Sequence, residues 1–144
     1  MAQTLTQEQK LKLTQLRVLI VEDAAVDRLF LRSVLHKIGI QSIQEANNGT
    51  EGLLKTLSAR EAESPFHVLI TDWKMPRKDG IAFLKEVRSE KFKKPPYIIM
   101  STSNAAQSGV IEAKLAGIDD YIVKPFNLTT LSEKILAALP KITI

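Results

Sequence analysis

The stretch HVLITDWKMPRKDG, residues 67–80, decides how the chain is read. Val68, Leu69, Ile70 and Thr71 form a short apolar run rich in β-branched residues, the pattern of a strand buried on both faces. Asp72 follows where that strand must end. Met75-Pro76 cannot continue a strand interior, and Asp79-Gly80 is a turn pair opening a new helical pattern. A carboxylate at the carboxyl end of a buried strand, ahead of an irregular loop, stands where open α/β sheets place their chemistry. One such Asp is equally a turn former or a helix cap. The rest of the chain decides between the two.

Outward from this stretch, strand and helix patterns alternate. Residues 17–21, RVLIV, predict a central strand ending in Glu22-Asp23. Residues 27–38 carry a helical stripe of Leu31, Val34, Leu35 and Ile38, stopped by Gly39. Residues 40–46 predict a weaker strand closed by Asn47-Asn48-Gly49, after which Thr50 is expected to cap a helix carrying Leu53, Leu54 and Leu57. Beyond 67–80, a helix over 81–88 buries Ile81, Leu84 and Val87. Pro95-Pro96 precede a strand at 97–101, a helix at 105–116, a strand at 119–123 and a helix from Thr129 to about Leu139. Ahead of all this, residues 1–16 form an extension in which Leu5, Gln9, Leu13 and Leu16 fall at roughly helical spacing behind a Thr6 cap, predicting an appended helix or a frayed arm. The domain is expected over 17–139, with a tail at 140–144.

The length of 144 residues fits one domain with a real core. Absence of cysteine excludes disulfides, thiolate catalysis and cysteine-bound zinc. No window holds the apolar run of a membrane span and the first residues lack a signal-peptide core, so a soluble, cytoplasmic protein is expected. Charge is uneven: residues 1–72 carry 8 Lys/Arg against 9 Asp/Glu, and residues 73–144 carry 12 against 7. Much of the excess lies between Lys74 and Lys94. That cluster suits an acidic partner, but without interleaved aromatics or a nucleic-acid motif a solvated face is the plainer reading. His36, within a core-facing stripe, and His67, opening a strand, are read as structural.

Alternating strands and helices predict a doubly wound parallel sheet in a three-layer α/β/α sandwich. Its strands' carboxyl ends line one edge and bring together Glu22 and Asp23, Asp72, Ser101-Thr102, and Lys124. Crowded carboxylates invite a divalent cation, and oxygen donors without His or Cys suit Mg²⁺ or Mn²⁺. A lysine and a hydroxyl opposite could hold phosphate oxygens. Together they describe phosphoryl transfer to an Asp nucleophile.

Four motifs carry a resemblance: LIVED at 19–23, ITDWKMPRKDG at 70–80, MSTS at 100–103 and DDYIVKPF at 119–126. The chain resembles the receiver domains of two-component response regulators, most of all the stand-alone, CheY-like chemotaxis type. The resemblance implies a flavodoxin-like sheet of five strands in the order 2-1-3-4-5. It implies Asp72 as phosphoacceptor, Asp23 as direct metal ligand, Glu22 as its acidic neighbour and the Lys74 backbone carbonyl as a further ligand. Thr102 would be the switch hydroxyl, Lys124 the phosphate-binding lysine and Tyr121 the switch aromatic. A sensor histidine kinase of the CheA type would donate the phosphoryl group. The face of helix 105–116, strand 119–123 and the last helix would contact an output partner, the flagellar motor switch being the first expectation and a phosphate sink or another pathway the alternative. Enzyme activity would be limited to self-catalysed phosphotransfer and autodephosphorylation, in a monomer without nucleic-acid or membrane partners.

Departures from the family pattern are visible. Glu22 replaces the usual Asp, Lys74 stands where the chemotaxis regulator has an amide, and Asn104 replaces an acid. Gly109 lies inside a helix at a propensity cost of about 1 kcal/mol relative to Ala. Val110 is compatible with facing outward to a partner or inward to the core. A haloacid-dehalogenase-like phosphatase would need an acid at position 74, and an inactive receiver would have lost one of Asp23, Asp72, Thr102 or Lys124.

Overall fold

The computed structural model describes residues 4–75, 78–103 and 107–144, with the backbone alone at 107, 108 and 110. The expectations for Asn104 and for the Val110 side chain lie outside the described residues. Strands β1 (Arg17–Val21), β2 (Ser42–Ala46), β3 (Val68–Asp72), β4 (Tyr97–Thr102) and β5 (Asp120–Val123) form one parallel sheet in the order β2-β1-β3-β4-β5. Helices α1 (Gln7–Gln15), α2 (Ala25–Ile38), α3 (Gly49–Glu61), α4 (Gly80–Ser89), α5 (Gln107–Ala116) and α6 (Leu128–Ala138) cover it, followed by a short 3-10 turn at Leu139–Lys141.

Period-two alternation along the strands builds two cores. Val18, Ile20, Val68, Ile70, Ile99 and Ile122 point to one side, where α2 and α6 contribute Leu31, Leu35, Leu131 and Ile135. Leu19, Val21, Leu69, Ile98 and Met100 point to the other, against Phe83, Leu84 and Val87 of α4 and Ala113 of α5. Burial on both faces explains why β1, β3 and β4 read as nearly unbroken apolar runs.

Several local expectations are corrected. Helix α3 is capped by Asn48, whose side chain accepts the Glu51 N–H, so it starts ahead of Thr50. Its buried positions are Gly49, Gly52 and Thr56, whereas Leu54 is exposed. The reason is proximity: a Cβ at Gly52 would stand 3.0 Å from Val21 and 3.3 Å from Phe83, so a larger side chain would have to push its neighbours aside. Helix α6 begins at Leu128 behind the Asn127 cap. His36 is exposed, because the α2 stripe of Val34, Leu35 and Ile38 leaves position 36 on the outer face. Helix α1 is no frayed arm: Thr6 closes a capping box with Gln9, Leu13 and Leu16 are buried with the α2–α6 core, and Lys12 Nζ donates to the Leu139 carbonyl.

Candidate functional site

Glu22, Asp23, Asp72, Thr102 and Lys124 are delivered by strand ends, whereas Lys74 lies in the loop after β3 and Tyr121 within β5. The Glu22 N–H donates to the Ala46 carbonyl at 3.0 Å, carrying the β1–β2 pairing one residue past the strand. Arg28, in the first turns of α2, donates to the carbonyls of Glu22 and Asp23 at 2.7 and 3.1 Å and so holds the acidic turn. Asp72 ends β3 and lies in register with Ser101. The loop after it folds straight back: Gly80 N–H donates to the Trp73 carbonyl at 2.7 Å, and a Cβ at position 80 would stand 2.2 Å from the Asp72 carbonyl oxygen. Only glycine fits that approach.

Carboxylate oxygens of Glu22, Asp23 and Asp72 lie within 4.8 Å of one another. Glu22 is buried, Asp72 half-buried and Asp23 exposed. Lys124 Nζ donates to Glu22 Oε1 at 2.8 Å and lies 3.3 Å from Asp72 Oδ1 and 3.6 Å from Asp27 Oδ2. Burial pushes the Glu22 carboxyl up to about 7, helped by the Asp72 charge and Asp23 and opposed by hydrogen bonds from Lys124 and the Ala24 N–H. For Lys124 burial acts downward, but the hydrogen bond to Glu22 and the Asp72 charge outweigh it and its pKa is raised. One ammonium serving several carboxylates leaves the cluster short of positive charge. Three hard oxygen donors at this spacing form an acidic site that suits a small divalent cation.

Thr102 is buried at the end of β4, and its carbonyl accepts the Lys124 N–H at 2.7 Å, tying the β4 and β5 ends together. Ser101 Oγ is buried without a hydrogen-bond partner among the described residues. Tyr121 is half-buried, with Lys134 Nζ 5.3 Å from its ring centroid. Lys74 is exposed and makes no ion pair among the described residues. Trp73 packs toward α5, where a Cβ at Gly109 would stand 2.7 Å from the indole. Sequence reading missed Asp27 and Arg28; their signal was a charged pair within one helical turn after an acidic strand end. It also missed a 470 Å³ cavity beside Lys124, walled by Phe30, Leu31 and Phe126.

A family model for the response regulator receiver domain matches residues 18–136. The chain belongs to the response regulator receiver family. This receiver is 38% identical over 125 residues to the chemotaxis protein CheY1 of Helicobacter pylori, covering 86% of this chain and 97% of that protein. The solved structure of Vibrio cholerae chemotaxis protein CheY4 superposes with a TM-score of 0.76 at 32% identity, covering 85% of this chain and 97% of that one. The receiver domain of the Saccharomyces cerevisiae response regulator Ssk1, solved with the histidine phosphotransfer protein Ypd1, matches at 33% identity and a TM-score of 0.71, covering 83% and 86%. The chain is a CheY-like response regulator with a flavodoxin-like fold. Among its described residues no helix is long and apolar enough to cross a membrane.

Proposed function

We propose that residues 17–139 act as a receiver that accepts a phosphoryl group on Asp72 from a phosphohistidine donor and signals by the resulting change of state. The carrying observation is Lys124, 2.8 Å from Glu22 and 3.3 Å from Asp72 at the mouth of a three-carboxylate cluster. Asp72 Oδ1 accepts the Trp73 N–H at 2.9 Å and faces Lys124, which leaves Oδ2 to attack phosphorus in line. The P–O bond forms as the P–N bond to the donor imidazole breaks, giving an aspartyl phosphate. Glu22, Asp23, Asp72 and the Lys74 carbonyl would hold Mg²⁺. The ion supplies positive charge for the carboxylates and phosphoryl oxygens. Lys124 follows the transferred group with its ammonium, and the Thr102 hydroxyl hydrogen-bonds the new oxygens, with Tyr121 responding to that movement.

The donor would dock over the apolar residues Val26, Leu29 and Phe30, which α2 exposes beside the cavity at Lys124. The output partner would meet the face of α5, β5 and α6. Likeness to chemotaxis regulators favours a cytoplasmic chemotaxis role with a CheA-like kinase and the flagellar motor switch as output. Incubation with Mg²⁺ and acetyl phosphate should give a hydroxylamine-labile phosphoprotein, absent in Asp72→Asn while the fold is retained. Equal labelling of both proteins would overturn the assignment. Capture of a motor-switch protein only when beryllofluoride is present would support the chemotaxis role, and capture of none would remove it.

A further inference from the structure

The pole of the sheet opposite Asp72 carries a second recess. It opens at the amino-terminal strand ends, beside Arg17 of β1, His67 ahead of β3 and Tyr97 of β4. Five strand residues separate the two poles, about 16 Å at roughly 3.3 Å per residue. Its volume is 980 Å³, at the upper end for a small-molecule pocket.

Seven basic side chains line it against three acidic ones, an excess equal to the chain's whole net charge of +4. Two of the seven are already matched: Arg60 pairs with Glu61 and Glu90, and Arg88 with Asp119. Arg17 donates to the Pro65 carbonyl and approaches His67, and Lys91, Lys93, Lys94 and Lys141 make no ion pair among the described residues. His67 registers this field. Burial first, and then the charges of Arg17, Lys94 and Lys12, hold its imidazole down at about 4. Between the cations the surface is part polar and part apolar, with Phe92 and Ile118 half-buried there and Phe66 and Ile142 buried beneath.

We propose that this groove binds an acidic peptide segment of a partner protein, one whose carboxylates alternate with apolar side chains. The unmatched cations come from three separate stretches: the start of β1, the α4–β4 link and the turn after α6. Such a distribution matches several charges spaced along an extended segment better than one compact anion. Nucleic acid is disfavoured because the Phe92 ring is already covered by the Arg60 guanidinium, 5.2 Å from its centroid, so it offers no open face to a base at that side. The lysines at 91–94 thus line a recess at the far pole, away from the phosphoacceptor.

Fluorescence anisotropy with a short labelled peptide of alternating glutamate and leucine, titrated with the full chain, tests the proposal. Saturable binding is expected, weakening as salt rises from about 50 to about 200 mM. The Lys93→Glu/Lys94→Glu double variant should bind at least about tenfold more weakly, with an unchanged thermal melt because both side chains are exposed. Lys141→Glu, from a different stretch of the lining, should weaken it too. Binding should also fail for the peptide with glutamine in place of glutamate. The proposal is overturned by no saturable binding, by equal binding of either charge variant, or by equal binding of the glutamine peptide. Stronger competition from a single-stranded oligonucleotide or from tripolyphosphate than from unlabelled peptide also overturns it. None of these readouts depends on phosphorylation of Asp72.

Discussion

Lys74 stands two residues beyond Asp72, the proposed phosphoacceptor, exposed and free of any ion pair among the described residues. Its ammonium is therefore available to the phosphoryl group at Asp72, where it attracts the negative oxygens and cannot take a proton from attacking water while charged. The aspartyl phosphate should decay more slowly than in Lys74→Asn, by up to about tenfold, the equivalent of roughly 1.4 kcal/mol in barrier. Trp73 emission at fixed Mg²⁺ and pH follows the decay, and equal rates would remove the idea. His67 supports a second expectation at this scale. Its Nδ1 accepts the Arg17 N–H at 2.9 Å, so protonation would set a proton against a donor. With a folded pKa of about 4 against 6.5 unfolded, the stability it contributes is complete above pH 6.5 and is lost as pH falls toward 4. Glu22, raised to about 7, works in the opposite direction over the same range. Comparing wild type with His67→Asn, whose carboxamide retains an acceptor, cancels that contribution. Between pH 6.5 and 5 the wild type should lose roughly 1–2 kcal/mol more unfolding free energy in urea than the variant.

Among the elements, α5 shows why a helix tolerates an interior glycine. Gly109 adjoins the Trp73 indole, and an added Cβ would stand 2.7 Å from Cη2 and 3.0 Å from Cζ3. The residue beside Asp72 thus touches a helix of the proposed output face directly. Gly109→Ala sets a helix-propensity gain of about 1 kcal/mol against displacement of the ring. Net stability should rise by less than that gain, and Trp73 emission should shift to the red as the indole is pushed outward. An unshifted spectrum with the full gain would show that the contact carries nothing. Helix α1 is the other case: Leu13 is 1% exposed within the α2–α6 core. Leu13→Ala should cost about 2–4 kcal/mol, measured by denaturant unfolding, whereas a loosely attached arm would lose almost nothing.

For the whole molecule, sheet and site were legible because each candidate residue sits directly behind an apolar run. Glu22, Asp72, Thr102 and Lys124 mark the ends of β1, β3, β4 and β5, and parallel order brings those ends to one edge. Packing by small residues was not legible. Gly52 and Thr56 carry little hydropathy, so the leucines of α3 do not reveal that these two make the close approach to the sheet, with Leu53 packed against the core and Leu54 exposed. Nor was the basic groove, whose walls come from segments as far apart as Arg17 and Lys141 and meet only in the folded chain. The Lys12–Leu139 contact, spanning 127 residues, has a consequence for the order of events during synthesis. A chain leaving the ribosome amino end first exposes Leu13 and Leu16 long before residue 139 emerges. Helix α1 can thus meet its α2 neighbours early, but it lacks the α6 and Leu139 part of its packing until those residues emerge.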